Sequence, residues 1–250
     1  MSLHDVAARA YEAASGAYER GRPSYPSTAV AELVAALGIG PTSTVVDVAA
    51  GTGKLTRLLV PTGARVVAVE PVAAMRTALT ALVPDAAAVA GTAEALPLAD
   101  GSADVVTAAQ AFHWFRAEQA LEEIARVLVE GGGLALVWNE RDESVPWVST
   151  LNELMRWHEQ DIPSYGGDTD WAGVVAASGS FTPLQHRAFA NDHELDAQAL
   201  VDRVLSTSYI ATWPVADQDA LVGEVRRLVA GFSERFVLPH RTEVFWCHRA

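Results

Sequence analysis

A turn of small residues follows an apolar run early in the chain, and it constrains the fold more than any other feature. Residues 45–55 read VVDVAAGTGKL: a β-branched run carrying Asp47 meets Gly51 and Gly53 and then a helix-like segment. In open α/β sheets, ligands bind where a strand passes into a helix through such a turn. The stretch therefore predicts an α/β protein that holds a ligand here.

Strand and helix signals alternate along the first 139 residues. Predicted strands cover 43–49, 65–70, 86–91, 103–109 and 134–139. Predicted helices cover 5–18, 27–37, 53–60, 72–82 and 118–133, the second capped by Ser27 or Thr28 and ended by Gly38. The strands are apolar throughout, as parallel strands buried on both faces are. This alternation predicts a doubly wound, Rossmann-like sheet that is mostly parallel.

The pattern changes after residue 139. Residues 140–180 place aromatic side chains among Gly, Ser and Asp, which indicates an inserted helical lid. We expect further helices at 196–208 and 216–232, and RTEVFWCHR (241–249) is typical of an antiparallel edge strand. We predict one domain with four parts. An N-terminal lid segment (1–26) precedes a cofactor-binding core (27–140). A substrate-side insertion (141–180) and a C-terminal part with sheet and helices (181–250) follow.

Charge and composition argue against several kinds of partner. The 250 residues carry a formal net charge of −13, which disfavours a nucleic-acid or anionic-membrane partner. Cys247 is the one cysteine, and the histidines lack the spacing of metal ligands, so neither a disulfide nor a metal is expected. No stretch reads as a signal peptide or a membrane span, and we predict a cytoplasmic protein.

Three nucleotide-type ligands compete for the turn. A P-loop requires four residues between its glycines and a Gly-Lys-Ser/Thr ending, which this stretch lacks. A dinucleotide turn requires a third glycine where Thr56 stands. S-adenosylmethionine (SAM) has no phosphate, so it tolerates a nearby acid, and its amino-acid end needs close backbone approach to Ala49, Gly51 and Gly53.

Glu70 supports a ribose-containing ligand. It ends the second predicted strand, 19 residues after Gly51 (70 − 51), where an acid can accept hydrogen bonds from ribose hydroxyls. The NAD and SAM interpretations share this feature, so Glu70 does not separate them.

Four motifs in order resemble the class I SAM-dependent methyltransferases, in the small-molecule branch called the type 11 methyltransferase-domain family. They are VVDVAAGTGKL, VVAVEPVAAM, GTAEALPLADGSADVV and LEEIARVLVEGGGLALV. The family usually has Gly where Ala49 stands and often Asp where Thr92 stands. The resemblance covers about residues 5–140 and implies a seven-stranded sheet with a reversed last strand. It also implies SAM as cofactor, S-adenosylhomocysteine as product and a small-molecule acceptor.

The resemblance implies roles for individual residues around the cofactor. Asp47, Ala49, Gly51 and Gly53 form the turn at its methionine end, and Glu70 holds the ribose. The remaining implied contacts are Pro71, Met75, Thr92, Ala93 and Glu94 at the adenine and Gln110 facing the methyl donor.

The N-terminal stretch AYERGRPSYP is similar to a pattern in trans-aconitate methyltransferase-like proteins, where it folds over the cofactor. By that resemblance Tyr18 and Tyr25 close the pocket and Arg22 meets the cofactor carboxylate. An Arg-Pro turn with packed tyrosines is the equal alternative.

Candidate acceptor-side residues follow the fourth and fifth strands. His113, in QAFHWF, is the candidate general base, with a role as an aromatic pocket wall as the alternative. Arg141 is a candidate for binding a substrate acid, or else forms a surface ion pair. Three tryptophans are candidates for an apolar acceptor cavity or for core packing: Trp114, Trp138 and Trp147.

Three functions remain open from the sequence. The first is methyl transfer from SAM to a small molecule, directed to oxygen, carboxyl, nitrogen or carbon. The second is a nicotinamide-dependent oxidoreductase, disfavoured by Thr56. The third is a SAM-binding protein without catalysis. The oligomeric state and the acceptor are not predicted.

Overall fold

Seven strands form one sheet in the part of the chain that the computed structural model describes, residues 21–159, 169–207 and 209–250. In chain order they are β1 (Thr44–Val48), β2 (Arg65–Val69), β3 (Ala87–Val89), β4 (Ala103–Ala109), β5 (Leu128–Arg141), β6 (Gln185–Leu195) and β7 (Phe236–His248). The order across the sheet is β3-β2-β1-β4-β5-β7-β6. Strand order therefore reverses between β1 and β4, the switch point at which open α/β sheets bind ligands.

Strand directions confirm the predicted Rossmann-like, mixed sheet. β1 pairs in parallel with β2 and β4, β2 with β3, and β4 with β5. The N–H of Arg249 donates to the carbonyl of Gly132 (2.8 Å). The N–H of Asp142 donates to the carbonyl of Pro239 (3.0 Å). Residue numbers in β7 therefore decrease as those in β5 increase, so the two strands are antiparallel. The last strand is reversed as expected, but the prediction that it lies at the edge is wrong, because β6 occupies the edge.

Helices connect the strands, with several boundaries that differ from the predicted ones. They are α1 (Ser27–Leu37), α2 (Thr56–Leu59), α3 (Ala73–Leu82), α4 (Ala117–Val127), α5 (Pro146–Leu154), α6 (Trp171–Ala177), α7 (Ala197–Leu205) and α8 (Val215–Leu228). Short 3-10 turns lie at Val60–Thr62, Phe112–Trp114, Trp157–Glu159 and Ile210–Thr212. The helix predicted at 5–18 lies outside the described residues.

Three helix predictions need correction. The cap of α1 is Pro26, whose carbonyl accepts from the N–H groups of Ala29 and Val30, so Ser27 and Thr28 lie inside the helix. Helix α2 is much shorter than predicted, because the turn before it extends to residue 55. Helix α4 ends at Val127 rather than at the glycines, since the next residue already pairs with β4.

The chain divides into two compact units. The core unit comprises Ser24–Glu140, Pro163–Phe189 and Thr242–Ala250; the second unit comprises Met1–Pro23, Arg141–Ile162 and Ala190–Arg241. The core unit contains two clusters of buried apolar residues, one including Val46, Leu121 and Trp138 and the other including Leu33, Leu59 and Val105. The second unit has its own cluster from α5, α7 and α8, which gives it an independent apolar interior.

Candidate functional site

The turn after β1 has an unusual backbone. Ala49, Gly51 and Gly53 all have positive φ, at 53°, 58° and 83°. A Cβ on Gly51 would meet no atom within 4 Å, so its conformation, not crowding, explains the glycine. A Cβ on Gly53 would lie 2.9 Å from Val83 and 3.1 Å from Leu79, so this glycine also allows α3 to pack against the turn.

Ala49 is the strained residue of this turn, because a Cβ disfavours the left-handed region by about 1–2 kcal/mol. We expect Ala49→Gly to raise the free energy of unfolding by about 0.5–1 kcal/mol, the relief of strain less the entropy that glycine adds to the unfolded chain. Thermal denaturation measures it. Ala50→Gly is the matched control: Ala50 has no positive φ, so this change should only destabilise. An equal decrease in the free energy of unfolding in both variants would show that Ala49 is not strained.

Glu70 ties the first two strand ends together. One carboxylate oxygen accepts from the N–H of Gly51 (2.9 Å) and the other from the N–H of Val72 (2.8 Å), and the residue is only 4% exposed. The Gly51 contact joins the turn after β1 to the end of β2. Glu70 is therefore buried beside the turn rather than solvated.

Asp47 lies in β1 directly beneath the turn. Its carboxylate accepts from the hydroxyls of Thr56 (2.6 Å) and Thr107 (2.8 Å), which links β1 to α2 and β4. Burial raises the pKa of Asp47 to about 6, although the two threonine hydrogen bonds lower it; the charge of Glu70 adds a smaller increase. Asp47 thus shapes the turn from below. Thr56 stands where a dinucleotide turn has its third glycine, and here its hydroxyl binds the Asp47 carboxylate.

The residues expected at the adenine lie beyond β2 and β3. Met75 and Ala93 are buried, and the carbonyl of Pro71 accepts from Arg76 (2.7 Å). Thr92 forms an antiparallel bridge with Ala95. The Glu94 carboxylate accepts from the N–H of Arg116 (3.0 Å).

Gln110 follows β4 with φ 54°, the second strained position at these strand ends. Its side-chain amide donates to the carbonyl of Asn139 (3.0 Å), at the end of β5. Asn139 in turn accepts from the hydroxyl of Thr242 (2.6 Å) and donates to the carbonyl of Ser24 (3.1 Å). Sequence reasoning missed Asn139, which organises the strand ends around Gln110.

His113 is buried in the 3-10 turn after β4. Its Nδ1 accepts a hydrogen bond from the indole N–H of Trp138 (3.1 Å), a contact between the turn after β4 and strand β5 that the sequence did not reveal. Because an indole nitrogen only donates, Nδ1 must hold a lone pair and the neutral ring carries its proton on Nε2. Trp138 is completely buried, so its indole N–H needs the Nδ1 lone pair as acceptor, which favours this tautomer of His113.

The aromatic residues near His113 differ in burial. Trp138 stacks on Trp171 at 5.1 Å between ring centroids, and Phe112 meets Trp171 edge-on at 5.5 Å. Trp138 is therefore a core residue, whereas Trp114 is half-buried with its ring 4.7 Å from that of His113. Tyr25 is buried in a core-unit cluster with Ala29 and Leu33.

Three predicted site residues belong to the second unit: Arg22, Arg141 and Trp147. Arg141 Nε donates to the side-chain oxygen of Asn152, and its guanidinium lies 4.5 Å from the centre of the Trp157 ring. Trp147 meets Phe232 edge-on at 5.3 Å. Tyr18 lies outside the described residues.

Two further findings concern metals and membranes. Within the described ranges, no group of three or more His, Cys, Asp or Glu side chains is arranged to hold a metal ion. Of the helices described, none is both long and apolar enough to cross a bilayer.

Comparison with known proteins agrees with this geometry. Residues 46–136 match the model of the type 11 methyltransferase domain. An uncharacterized methyltransferase of Mycobacterium tuberculosis strain H37Rv is 42% identical over 221 residues, covering 88% of this chain and 85% of the relative. An uncharacterized methyltransferase-like protein of Schizosaccharomyces pombe is 34% identical over 209 residues, covering 83% and 81%.

A solved structure shares the fold at low sequence identity. A phosphoethanolamine N-methyltransferase of Haemonchus contortus, in complex with phosphomonomethylethanolamine and S-adenosylhomocysteine, superimposes with a TM-score of 0.60 at 15% identity. The match covers 100% of this chain and 60% of that one. With the domain match, the close relatives and the strand order in agreement, this chain belongs to the class I SAM-dependent methyltransferases.

Proposed function

We propose that the protein transfers a methyl group from SAM to a small-molecule acceptor. The observation that carries the proposal is the turn at the sheet's switch point, which Asp47 supports from below and Glu70 holds from the side. The buried carboxylate of Asp47 beneath the turn disfavours a pyrophosphate, whereas SAM is cationic at its sulfur. The nicotinamide alternative therefore finds no support in this site.

The residues present fit SAM in a specific way. When bound, SAM supplies a methyl group already activated by its positively charged sulfur. The open space at Gly51 suits the amino-acid end. A carboxylate such as that of Glu70 is the type of acceptor that ribose hydroxyls bind. Pro71, Met75, Thr92, Ala93 and Glu94 are proposed at the adenine, and Gln110 at the methyl donor.

The part of His113 in catalysis follows from its tautomer. A general base must offer a lone pair, but Nδ1 is already committed to Trp138 and Nε2 carries the proton. We therefore propose that His113 orients the acceptor as a hydrogen-bond donor or wall. An acceptor that needs a base would obtain it elsewhere, and an anionic acceptor would need none.

His113→Gln tests this role. A glutamine side chain can accept from Trp138 through its oxygen and donate through its nitrogen, so we expect turnover to fall less than about tenfold and the pH profile to keep its shape. A loss of about 10²–10⁴-fold with a vanished acidic limb would instead show a general base.

Trp138→Phe is the complementary variant, because it removes the donor that fixes the tautomer. We expect the Michaelis constant of the acceptor to rise, because the ring can then move its proton to Nδ1 and no longer donate from Nε2. S-adenosylhomocysteine titration on both variants controls for a collapsed site.

The acceptor itself is addressed by a methyl-transfer assay. Purified protein with SAM labelled at the methyl group is incubated with panels of alcohols, amines, carboxylates and carbon acids. Transfer to one class supports the proposal and identifies the atom, whereas S-adenosylhomocysteine binding without transfer to any class favours a non-catalytic SAM-binding role.

A further inference from the structure

Gln110 follows β4 in a backbone conformation that residues with a Cβ rarely adopt. Its φ is 54°, and its N–H donates to the carbonyl of Val137 (2.8 Å), which continues the pairing of β4 with β5. Strained residues persist where their surroundings hold them, and they cluster at ligand sites. Ala108, two residues earlier, pairs with Val48 of β1, which directly precedes the glycine turn. Gln110 and the glycine turn therefore leave the sheet at the same edge, on neighbouring strands at the switch point.

The side-chain amide of Gln110 has a defined sense. Its Nε2 donates to the backbone carbonyl of Asn139 (3.0 Å), and a carbonyl oxygen can only accept, so the nitrogen must face β5. The amide oxygen, Oε1, is then directed away from that carbonyl. Among the residues that the structure describes, none donates a hydrogen bond to Oε1. Gln110 thus offers a hydrogen-bond acceptor to a ligand at the strand ends.

Asn139 fixes the carbonyl that Gln110 uses. Its side-chain oxygen accepts from the hydroxyl of Thr242 in β7 (2.6 Å), and its side-chain nitrogen donates to the carbonyl of Ser24 before α1 (3.1 Å). Thr242 is fully buried, so its hydroxyl needs this acceptor. All four residues belong to the core unit. Asn139 and Thr242 are therefore positioning residues, which act on Gln110 through the end of β5.

We propose that Gln110 is a specificity-determining residue whose Oε1 accepts an N–H from the methyl acceptor, a primary or secondary amine. The inference rests on the proposed methyl transfer and names its substrate class. A carboxylate has no hydrogen to donate to Oε1, and the formal net charge of −13 repels carboxylates and attracts amines. A hydroxyl can donate to Oε1 but needs a general base, a role that the tautomer of His113 does not fill.

An amine acceptor needs no base at the moment of attack. The amine, neutral after it has lost its extra proton to solvent, directs one N–H to Oε1 and its lone pair to the methyl carbon. The nitrogen–carbon bond forms as the carbon–sulfur bond breaks, and that electron pair returns to the sulfur of S-adenosylhomocysteine. The methylated ammonium then releases a proton to solvent. Because a tertiary amine has no N–H, methylation of a primary amine should stop at the dimethylated product.

Calorimetric titration tests where Oε1 points without knowledge of the acceptor. The probe is sinefungin, an analogue of SAM in which an amine-bearing carbon replaces the methylated sulfur, so that its amine takes the place of the transferred methyl. We expect the unaltered chain to bind sinefungin about 10–100-fold more tightly than S-adenosylhomocysteine, because a charged amine donates to Oε1. Equal affinities would overturn the inference and leave the proposed function standing. Binding of neither compound would contradict the proposed function itself.

Variants show which residues produce the preference for sinefungin. Gln110→Met keeps the side-chain length but removes the amide, so the preference should vanish while binding of S-adenosylhomocysteine is retained. Thr242→Val removes the hydroxyl that holds Asn139 and should reduce the preference, and Thr242→Ser should recover it. Gln119→Met, at an exposed position of α4, is the matched control and should change neither affinity. A preference that survives in Gln110→Met would overturn the assignment.

Methyl transfer to defined acceptor classes completes the test. The panels are primary, secondary and tertiary amines, alcohols and carboxylates, each with SAM labelled at the methyl group. We expect label in the primary and secondary amines, with the dimethylated amine as the end product. Transfer to tertiary amines, alcohols or carboxylates instead would overturn the inference while supporting methyl transfer, and transfer to no class would contradict the proposed function.

Discussion

Replacing Glu70 with alanine is expected to lower the free energy of unfolding by about 2–4 kcal/mol and to weaken S-adenosylhomocysteine binding by about 10–100-fold. The stability loss arises because the N–H groups of Gly51 and Val72 lose their acceptor. The affinity loss follows from the proposed ribose contacts. Denaturant unfolding and calorimetric titration measure the two effects.

Two comparisons make this result specific. Glu122→Ala removes an exposed carboxylate from α4 and should alter neither quantity. Glu70→Asp keeps the charge but shortens the side chain, so both losses should be intermediate. Unchanged stability and affinity in Glu70→Ala would show that this carboxylate neither holds the turn nor binds the ligand.

Asp47→Asn is expected to increase stability at pH 7 by about 1–3 kcal/mol. In the folded protein the pKa of Asp47 is about 6, whereas in the unfolded chain it has the ordinary value of 3.8. Between about pH 4 and pH 6 the folded state therefore binds more protons, and its stability falls as pH rises; above pH 6 the cost is constant. Asparagine removes the ionisation and can still bond with Thr56 and Thr107.

Unfolding measured from pH 4 to pH 7.5 tests this sign. The unaltered chain should lose stability across pH 4–6 relative to Asp47→Asn, and the two curves should run parallel above that range. Asp219→Asn, at an exposed position of α8, is the charge-matched control and should follow the unaltered chain. A variant less stable than the unaltered chain at pH 7 would mean that the ionised carboxylate stabilises the turn.

The central strands could be predicted from the sequence because they are apolar runs bounded by turn residues. The stretch ADVVTAA became β4 with the predicted bounds, and β1, β2 and β3 differ only at their ends. Strand β6 was missed, because Gln185–Leu195 is an edge strand with mostly exposed side chains and no apolar run. Without it, β7 was wrongly assigned to the edge.

The candidate site was predictable where it depends on the backbone and not where it depends on side-chain pairs. The glycine turn and Glu70 follow from spacing along two adjacent strands. The contact between Trp138 and His113 joins residues 25 positions apart and decides a proton's location, which no local pattern records.

Calorimetric titration of the unaltered protein with S-adenosylhomocysteine, and separately with NAD, tests the central claim most directly. A site built on Asp47, Gly51 and Glu70 should bind one S-adenosylhomocysteine per chain and give no heat with NAD. Binding of NAD without any response to S-adenosylhomocysteine would contradict the account.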